Sequence, residues 1–217
     1  MPTALVWFRR DLRLADNPAL QAALEAGYAP VPVYVHAPDE EAPWAPGAAS
    51  RTWLGHSLQR LDDDLAARGS RLLLRDGPTG PALEAVAAEA GAEAVYWNRS
   101  YEPAVIARDR TIKQALAARG LHVQSSNGSL LVEPWTVATN AGDPCRVFTP
   151  FWKKVRPRLD GEPVRVLPTP GRLPPVDARL ASVSLADFAR APEPAWDARF
   201  WTQWTPGEAG AHARVDT

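Results

Sequence analysis

A crowded group of charged side chains follows the first apolar run of the chain. Arg9, Arg10, Asp11 and Arg13 come directly after the apolar residues 5–8. A guanidinium offers planar, forked donors and can stack on aromatic rings, so these arginines suit an anionic or polar ring ligand. The alternative interpretation is that Asp11 pairs with an arginine and only fixes the loop.

A second polar group follows the apolar run at residues 94–97. Asn98 and Glu102 can accept or donate hydrogen bonds at the edge of a heterocycle, and Trp97 and Tyr101 can form apolar walls around it. An alternative applies to Glu102 as well, because a negative charge at a helix start is favoured by the helix dipole.

The motifs of several common enzyme classes are missing. Residues 7–13 contain no glycine, which excludes the Gly-x-Gly-x-x-Gly loop of an ordinary NAD site. The sequence also has no Walker-type phosphate loop and no Gly-x-Ser-x-Gly elbow. Its four histidines lack the spacing of metal ligands, and its single cysteine, Cys145, excludes an internal disulfide. We therefore expect no catalytic residue and no metal site in this chain.

Composition sets the broad class. The chain has 217 residues, of which 46% are hydrophobic, and its formal net charge is −1. This is the range of a globular protein with one domain and an extension, and the near-neutral charge gives no overall case for nucleic-acid binding. A single cysteine fits a reducing compartment, and the apolar start is too short for a signal or membrane segment. We expect a cytoplasmic monomer without a membrane partner.

Residues 1–126 repeat a unit of a short β-rich run and an amphipathic helix ended by glycine. The β-rich runs are residues 5–8, 31–36, 71–75, 94–97 and 121–125. The helices open near Asn17-Pro18, Ser50, Pro81 and Pro103 and end at Gly27, Gly69, Gly91 and Gly120. This alternation predicts a doubly wound, Rossmann-like α/β domain with a five-stranded parallel sheet and helices on both faces. Ligands bind such sheets at the carboxyl ends of the strands, which directs attention to loops 9–13, 36–49 and 98–102.

The pattern ends near residue 127. Residues 157–194 hold eight prolines, which predicts a semi-rigid, extended connector. Residues 147–154 mix aromatic rings with lysines; we favour an aromatic plug packed on the sheet domain over a nucleic-acid contact. Residues 196–217 hold three tryptophans with no partner element predicted in the chain. The predicted division is an α/β domain at 1–130, a connector at 131–195, and the start of a helical domain at 196–217.

Four separate blocks of sequence resemble the DNA photolyase/cryptochrome family, in the family's order. They are WFRRDLRLADNPAL at 7–20, VYWNRSYEP at 95–103, FTPFWK at 148–153 and WTPGE at 204–208. The resemblance covers nearly the whole chain. It implies an N-terminal antenna domain and connector, without the C-terminal helical domain that binds FAD and the DNA lesion.

The resemblance also implies a function. The α/β domain would hold an antenna chromophore of the methenyltetrahydrofolate or deazaflavin type and pass energy to FAD in the helical domain, its partner. The parent protein would be a deoxyribodipyrimidine photolyase that repairs cyclobutane pyrimidine dimers in UV-damaged DNA, with the lesion flipped out of the duplex. The alternatives are a cryptochrome-type blue-light signalling domain and a nucleotide-binding α/β module without photochemistry.

The predicted topology and the resemblance together nominate a set of cofactor-binding residues. Arg51 and Trp53 belong to the start of the second helix, whose amino end favours an anionic ligand tail. The full predicted set is Phe8, Arg9, Asp11, His36, Arg51, Trp53, Asn98 and Glu102.

Overall fold

A five-stranded parallel sheet forms the centre of the molecule. The computed structural model describes residues 1–41, 45–161, 165–188 and 196–215. The strands are β1 (Thr3–Phe8), β2 (Ala29–His36), β3 (Leu73–Asp76), β4 (Ala92–Asn98) and β5 (His122–Ser126). Their order is β3-β2-β1-β4-β5, and every neighbouring pair is parallel. The winding therefore reverses between β1 and β4, which confirms the predicted doubly wound sheet.

Four helices cover the two faces of this sheet. They are α1 (Pro18–Glu25), α2 (Ala48–Ala66), α3 (Thr79–Ala90) and α4 (Pro103–Ala118). Side chains of a strand alternate between faces, so Val6 and Phe8 pack with buried leucines of α1 and α2. Leu5 and Trp7 pack instead with apolar residues of α3 and α4. The prediction of helices on both faces is confirmed.

The helix ends follow from local sequence. The Asn17 side chain caps α1 by accepting a hydrogen bond from the Leu20 amide at 3.1 Å, and Pro18 occupies the first helical position. Gly91 ends α3 with a left-handed φ of 57°. Helix α2 begins at Ala48, two residues before the predicted start at Ser50. Its N-cap residue is Gly47, so no side chain caps this end.

The connector runs along the sheet domain without regular structure from residue 165 to 184, as its prolines predict. Its backbone is attached at intervals: the Leu173 amide donates to the Arg68 carbonyl at 2.8 Å, and the Val183 amide donates to the Leu74 carbonyl at 2.9 Å. Leu173 is almost fully buried. The prolines at 163, 192 and 194 lie outside the described residues.

A helix that the sequence analysis did not predict, α5 (Phe148–Gly161), precedes this stretch. The interpretation of its aromatic residues as a plug on the sheet domain is wrong. Phe148 and Trp152 are 69% and 39% exposed, and their rings stack on each other with centroids 6.0 Å apart. Among the described side chains of α5, Val155 is the buried one, and hydrogen bonds from Lys154 to Asn140 and from Arg158 to Thr136 also attach the helix.

The C-terminal segment folds back onto α2, and the short helices α6 (Leu185–Phe188) and α7 (Glu208–Val215) complete the chain. The Trp201 ring stacks on Trp53 with centroids 6.2 Å apart and lies 4.2 Å from the His56 ring. For Trp201, the expectation that the tryptophans of this segment lack a partner element is therefore wrong. Trp53 and His56 are three positions apart on α2 and so share the side that receives Trp201.

Candidate functional site

The point between β1 and β4 where the winding reverses is filled by the protein's own side chains. Arg9, from the end of β1, donates through Nη1 to Asp109 Oδ2 at 2.7 Å and through Nη2 to the Asn98 carbonyl. The Arg9 and Asp109 side chains are 9% and 12% exposed. Burial lowers the pKa of Arg9, while the charge and hydrogen bond of Asp109 oppose that shift. The guanidinium also lies 4.5 Å from the Trp7 ring centroid, a cation–π contact.

Asn98, at the end of β4, joins this group to the loop after β1. Its Nδ2 donates to Asp11 Oδ2 at 2.6 Å and to Asn17 Oδ1 at 2.8 Å, and its Oδ1 accepts from the Ala19 amide at 3.0 Å. Both donor hydrogens and one acceptor site of the amide are thereby used. A β-carbon built on Gly128 would lie 2.6 Å from Asn98 Cγ, so the backbone packs directly against this side chain.

Asp11 fixes the loop, as the alternative interpretation holds, but not through an arginine side chain. Its Oδ1 accepts from the Arg9 backbone amide at 2.9 Å, and its Oδ2 accepts from Asn98. The structure therefore brings three of the predicted site residues, Arg9, Asp11 and Asn98, into one polar network. In this network, each of the three side chains hydrogen-bonds to other groups of the protein.

The other predicted site residues lie apart from this network. Phe8 is fully buried in the core. Glu102 accepts from Arg10 Nη1 at 2.5 Å in an exposed ion pair, and His36 Nδ1 lies 3.0 Å from Asp76 Oδ1 at the ends of β2 and β3.

The two residues predicted from the second helix point to local partners. Arg51 Nη1 donates to the Pro46 carbonyl at 2.7 Å. Trp53 packs against Phe200 and Trp201 of the C-terminal segment, with ring centroids 5.7 and 6.2 Å away. None of these contacts involves the network between β1 and β4.

An open cleft of about 230 Å³ lies beside the network, over the carboxyl ends of β4 and β5. Its floor includes the buried Trp97, and Asp109 joins it to the network, because the same carboxylate binds Arg9. The lining residues are Trp97, Arg99, Ser100, Ile106, Asp109, Arg110, Lys113, Ser125 and Trp135.

Trp135 stands at the edge of this cleft and is held by its neighbours while 58% of it is exposed. Its ring centroid lies 5.6 Å from that of Tyr101 and 5.8 Å from the Arg99 guanidinium. Glu133 fixes both of these neighbours: it accepts from Tyr101 Oη at 2.8 Å and from Arg99 Nε at 2.8 Å. Burial and the hydrogen bond to Glu133 raise the pKa of Tyr101, so the phenol remains a donor at neutral pH.

The charge of the cleft is mainly positive. Of its lining residues, Arg99 is paired with Glu133 and Asp109 with Arg9, and Arg110 and Lys113 add two further cations. An exposed tryptophan, a buried tryptophan and several cations together suit a planar ring that carries an anionic group.

Within the ranges that the structure describes, no group of three or more His, Cys, Asp or Glu side chains is placed to hold a metal ion. None of the helices described is long and apolar enough to cross a membrane.

Sequence reasoning missed Asp109 and Trp135. Asp109 precedes Ile112 and Leu116 on the buried side of α4, and a carboxylate on an otherwise apolar helix face is a signal that could have found it. Trp135 lies in a 3-10 turn, Pro134–Thr136, within a stretch that has no periodic pattern. No pattern in the neighbouring sequence indicates that Trp135 lies at the cleft.

Comparison with known proteins gives consistent results. The family model for DNA photolyase matches residues 4–171. The deoxyribodipyrimidine photo-lyase of Agrobacterium fabrum is 40% identical over 216 residues, which are 98% of this chain and 43% of that protein. Cryptochrome-2 of Arabidopsis thaliana is 39% identical over 217 residues, covering 95% of this chain and 34% of that protein. Similarity to the two kinds of relative is therefore nearly equal.

A solved structure agrees with the fold. The bacterial class III photolyase from Agrobacterium tumefaciens superimposes with a TM-score of 0.88 at 39% identity, covering 100% of this chain and 44% of that one. The chain thus spans less than half the length of each of these three relatives.

Proposed function

Because this chain belongs to the DNA photolyase family, we propose that it is the light-harvesting α/β domain of a photolyase-type flavoprotein. Its role is to hold an antenna chromophore, while FAD belongs to a separate helical domain. The observation that carries the proposal is the open, aromatic and cationic cleft over β4 and β5, next to a reversal point that is closed. Energy transfer needs a ring held at a fixed place, and a cleft with aromatic walls supplies that without catalytic groups.

In this proposal the chromophore is of the methenyltetrahydrofolate or deazaflavin type. Its ring stacks on Trp135 above Trp97, and its anionic part lies near Arg110 and Lys113. Arg9, Asp11 and Asn98 support the floor of the cleft rather than touch the ring, since Arg9 holds Asp109 from behind.

The remaining nominated residues surround this edge in the proposal. Glu102, with Arg10, borders the same loop on its exposed side. His36, Arg51 and Trp53 lie towards β2 and α2, and a chromophore seated there instead would depend on them. Phe8 contributes to the core below the site. Substitution of Arg51 therefore serves as the test of that second placement.

A titration of the purified chain with methenyltetrahydrofolate, followed by absorbance and fluorescence, tests the site. We expect saturable binding that W135A weakens about tenfold, because stacking on one aromatic ring contributes about 1–3 kcal/mol. The matched control is W152A, which removes another partly exposed tryptophan, from helix α5, that does not line the cleft.

Equal binding by wild type, W135A and W152A would place the chromophore elsewhere, and loss of binding in R51A alone would select the β2–α2 side. A chain that binds neither methenyltetrahydrofolate nor a deazaflavin would overturn the light-harvesting role. A deazaflavin is titrated in the same way.

For the protein as a whole we propose light-driven repair of cyclobutane pyrimidine dimers in UV-damaged DNA, by a cytoplasmic monomer whose FAD-binding domain packs against this one. The exposed apolar side chains support a covering domain: Leu131, Phe148 and Trp152 are partly or largely solvent-accessible on this chain. The Phe148 and Trp152 rings stack on each other at the surface, and contiguous exposed apolar surface is a feature of interaction sites.

A chimera tests this larger role. The matched region of the Agrobacterium enzyme, which is 40% identical, is replaced by this chain. We expect the chimera to repair dimers and to use light absorbed by the antenna. Cryptochrome-type signalling is the second candidate, favoured by the 39% identity to Cryptochrome-2. A chimera that binds FAD but leaves dimers intact would favour signalling.

A further inference from the structure

The loop after β1, residues 9–17, is bound by a carboxylate from the far end of the chain. Glu208 Oε2 accepts from the Leu14 amide at 2.8 Å, and Glu208 Oε1 accepts from the Ala15 amide at 3.2 Å. Successive backbone N–H groups in a turn form a concave site for an anion. Here the anion is a side chain of the same protein, and it is 17% exposed.

The backbone before Glu208 is shaped to deliver that carboxylate. Gly207 has a φ of 92°, and a β-carbon there would lie 2.8 Å from Arg60 Cβ of α2. A β-carbon on Gly210 would overlap the Thr205 carbonyl. The turn at Pro206-Gly207 therefore tolerates little change, and it sets Glu208 as the first residue of α7.

The same loop also binds the segment that follows β5 and the middle of the connector. Arg13 Nη2 donates to the Gly128 carbonyl at 2.8 Å. The Asp16 amide donates to the Leu167 carbonyl at 3.0 Å, and the Leu167 amide donates back to Asp16 Oδ1 at 3.1 Å. Asp16 adopts a left-handed φ of 49°, which is uncommon for a residue with a side chain. Loop 9–17 is thus a junction of three distant segments with the edge of the sheet.

A second attachment of the C-terminal segment lies on α2. Trp201 packs on Trp53 and His56, and Asp197 accepts from Trp201 Nε1 at 2.9 Å. The aromatic contacts hold the segment against the helix, but they do not touch loop 9–17. Glu208 makes the contact with that loop, and His212 Nε2 lies 3.8 Å from it within α7.

We propose that Glu208 is a positioning residue, whose carboxylate fixes segment 196–215 to loop 9–17. It thereby sets where that segment lies relative to the carboxyl edge of the sheet. The consequence for energy transfer rests on the proposed function, because in the longer relatives the chain continues past the matched region. A chromophore at this edge would then have its distance to the following domain set by Glu208.

Hydrogen exchange of the 217-residue chain tests the proposal, with a graded series at one position. We expect the amides of Leu14 and Ala15 to exchange about tenfold faster in E208A, with E208Q in between because one oxygen remains to accept. Amides inside β1 and β4 should keep their protection, and E93Q, at the opposite end of β4, should match wild type.

A second variant reaches the same result by another route. G210A keeps the carboxylate but places a methyl group against the Thr205 carbonyl, so it should also release the amides of Leu14 and Ala15. Unchanged protection of both amides in E208A would overturn the proposal. So would loss of protection that extends evenly through β1 and β4, since that is general destabilisation rather than release of one segment.

Chromophore titration separates this proposal from the proposed function. E208A should bind methenyltetrahydrofolate within about twofold of wild type, since the cleft residues lie elsewhere. If wild type and E208A both fail to bind, the chromophore site is wrong, while the exchange data still decide the role of Glu208. If wild type binds and E208A does not, Glu208 belongs to the binding site and the positioning role is overturned.

Discussion

Two neighbouring regions at the carboxyl edge of the sheet use the same kinds of residue with opposite results. Between β1 and β4, arginine, aspartate and asparagine side chains bind one another and fill the space. Over β4 and β5, arginine, lysine and tryptophan side chains line a cleft of about 230 Å³ that stays open. Residue type and position at the edge therefore do not define a ligand site; a site also needs groups whose hydrogen bonds are not already satisfied within the protein.

The largest loss of stability should follow substitution of Asp109, whose carboxylate belongs to both regions. D109N leaves the buried Arg9 guanidinium without its charged partner, and breaking a buried ion pair typically lowers the free energy of unfolding by about 3–5 kcal/mol. Urea denaturation measures the change. D160N, in the exposed pair with Arg156, is the control and should have little effect. A loss below about 1 kcal/mol for D109N would mean that the closed region is not held by this pair.

The second effect concerns the centre of the closed network. N98A removes the amide that binds Asp11, Asn17 and the Ala19 amide, and each buried group left unpaired costs about 1–3 kcal/mol. With water replacing part of the network, we expect a loss of about 2–4 kcal/mol in the free energy of unfolding. Thermal and urea unfolding should agree, and N140A, at an exposed asparagine, should match wild type. An equally stable N98A would show that the network is not needed to close this region.

The third prediction addresses the open region. W135A should lower the free energy of unfolding by less than about 1 kcal/mol, because most of the ring is exposed and its contacts are at the surface. The same denaturation series measures it. A loss of 2 kcal/mol or more would make Trp135 part of the fold, and the contrast between the two regions would fail.

The smallest effect is expected at Glu102. Its ion pair with Arg10 is exposed on both sides, and such pairs contribute at most about 1 kcal/mol. E102Q should therefore change the free energy of unfolding by less than that, and added salt should remove what difference remains. Denaturation at low and high salt checks both points. A large loss that persists in high salt would show that Glu102 belongs to the closed network.

The sequence predicts the doubly wound parallel sheet and both helical layers, because each strand and helix carries its signal within a few residues. Arg9 and Asn98 could be nominated by type and by their place after a strand. Their roles could not, because Arg9 meets a carboxylate 100 positions away. Periodicity reports which face of an element is apolar, not which polar groups from distant elements meet.

The C-terminal tryptophans also show that contacts between distant segments cannot be predicted from local sequence. Trp201 has an aromatic partner in Trp53, but nothing in the local pattern of either segment indicates the pairing. Helix α5 is not evident from the sequence for a different reason: Pro157 lies inside it, and a proline within a segment normally argues against a helix.

Loop 9–17 also constrains the order in which the parts of this chain can fold. It is among the first segments to be synthesised, yet it closes hydrogen bonds to Leu167 and Glu208, which are 151 and 194 positions later. Contacts of such long sequence separation form slowly and last. During synthesis the sheet can assemble while this loop remains incomplete, with the Leu14 and Ala15 amides hydrated until Glu208 has been added. The N-terminal loop would then be one of the last parts of the molecule to reach its native form.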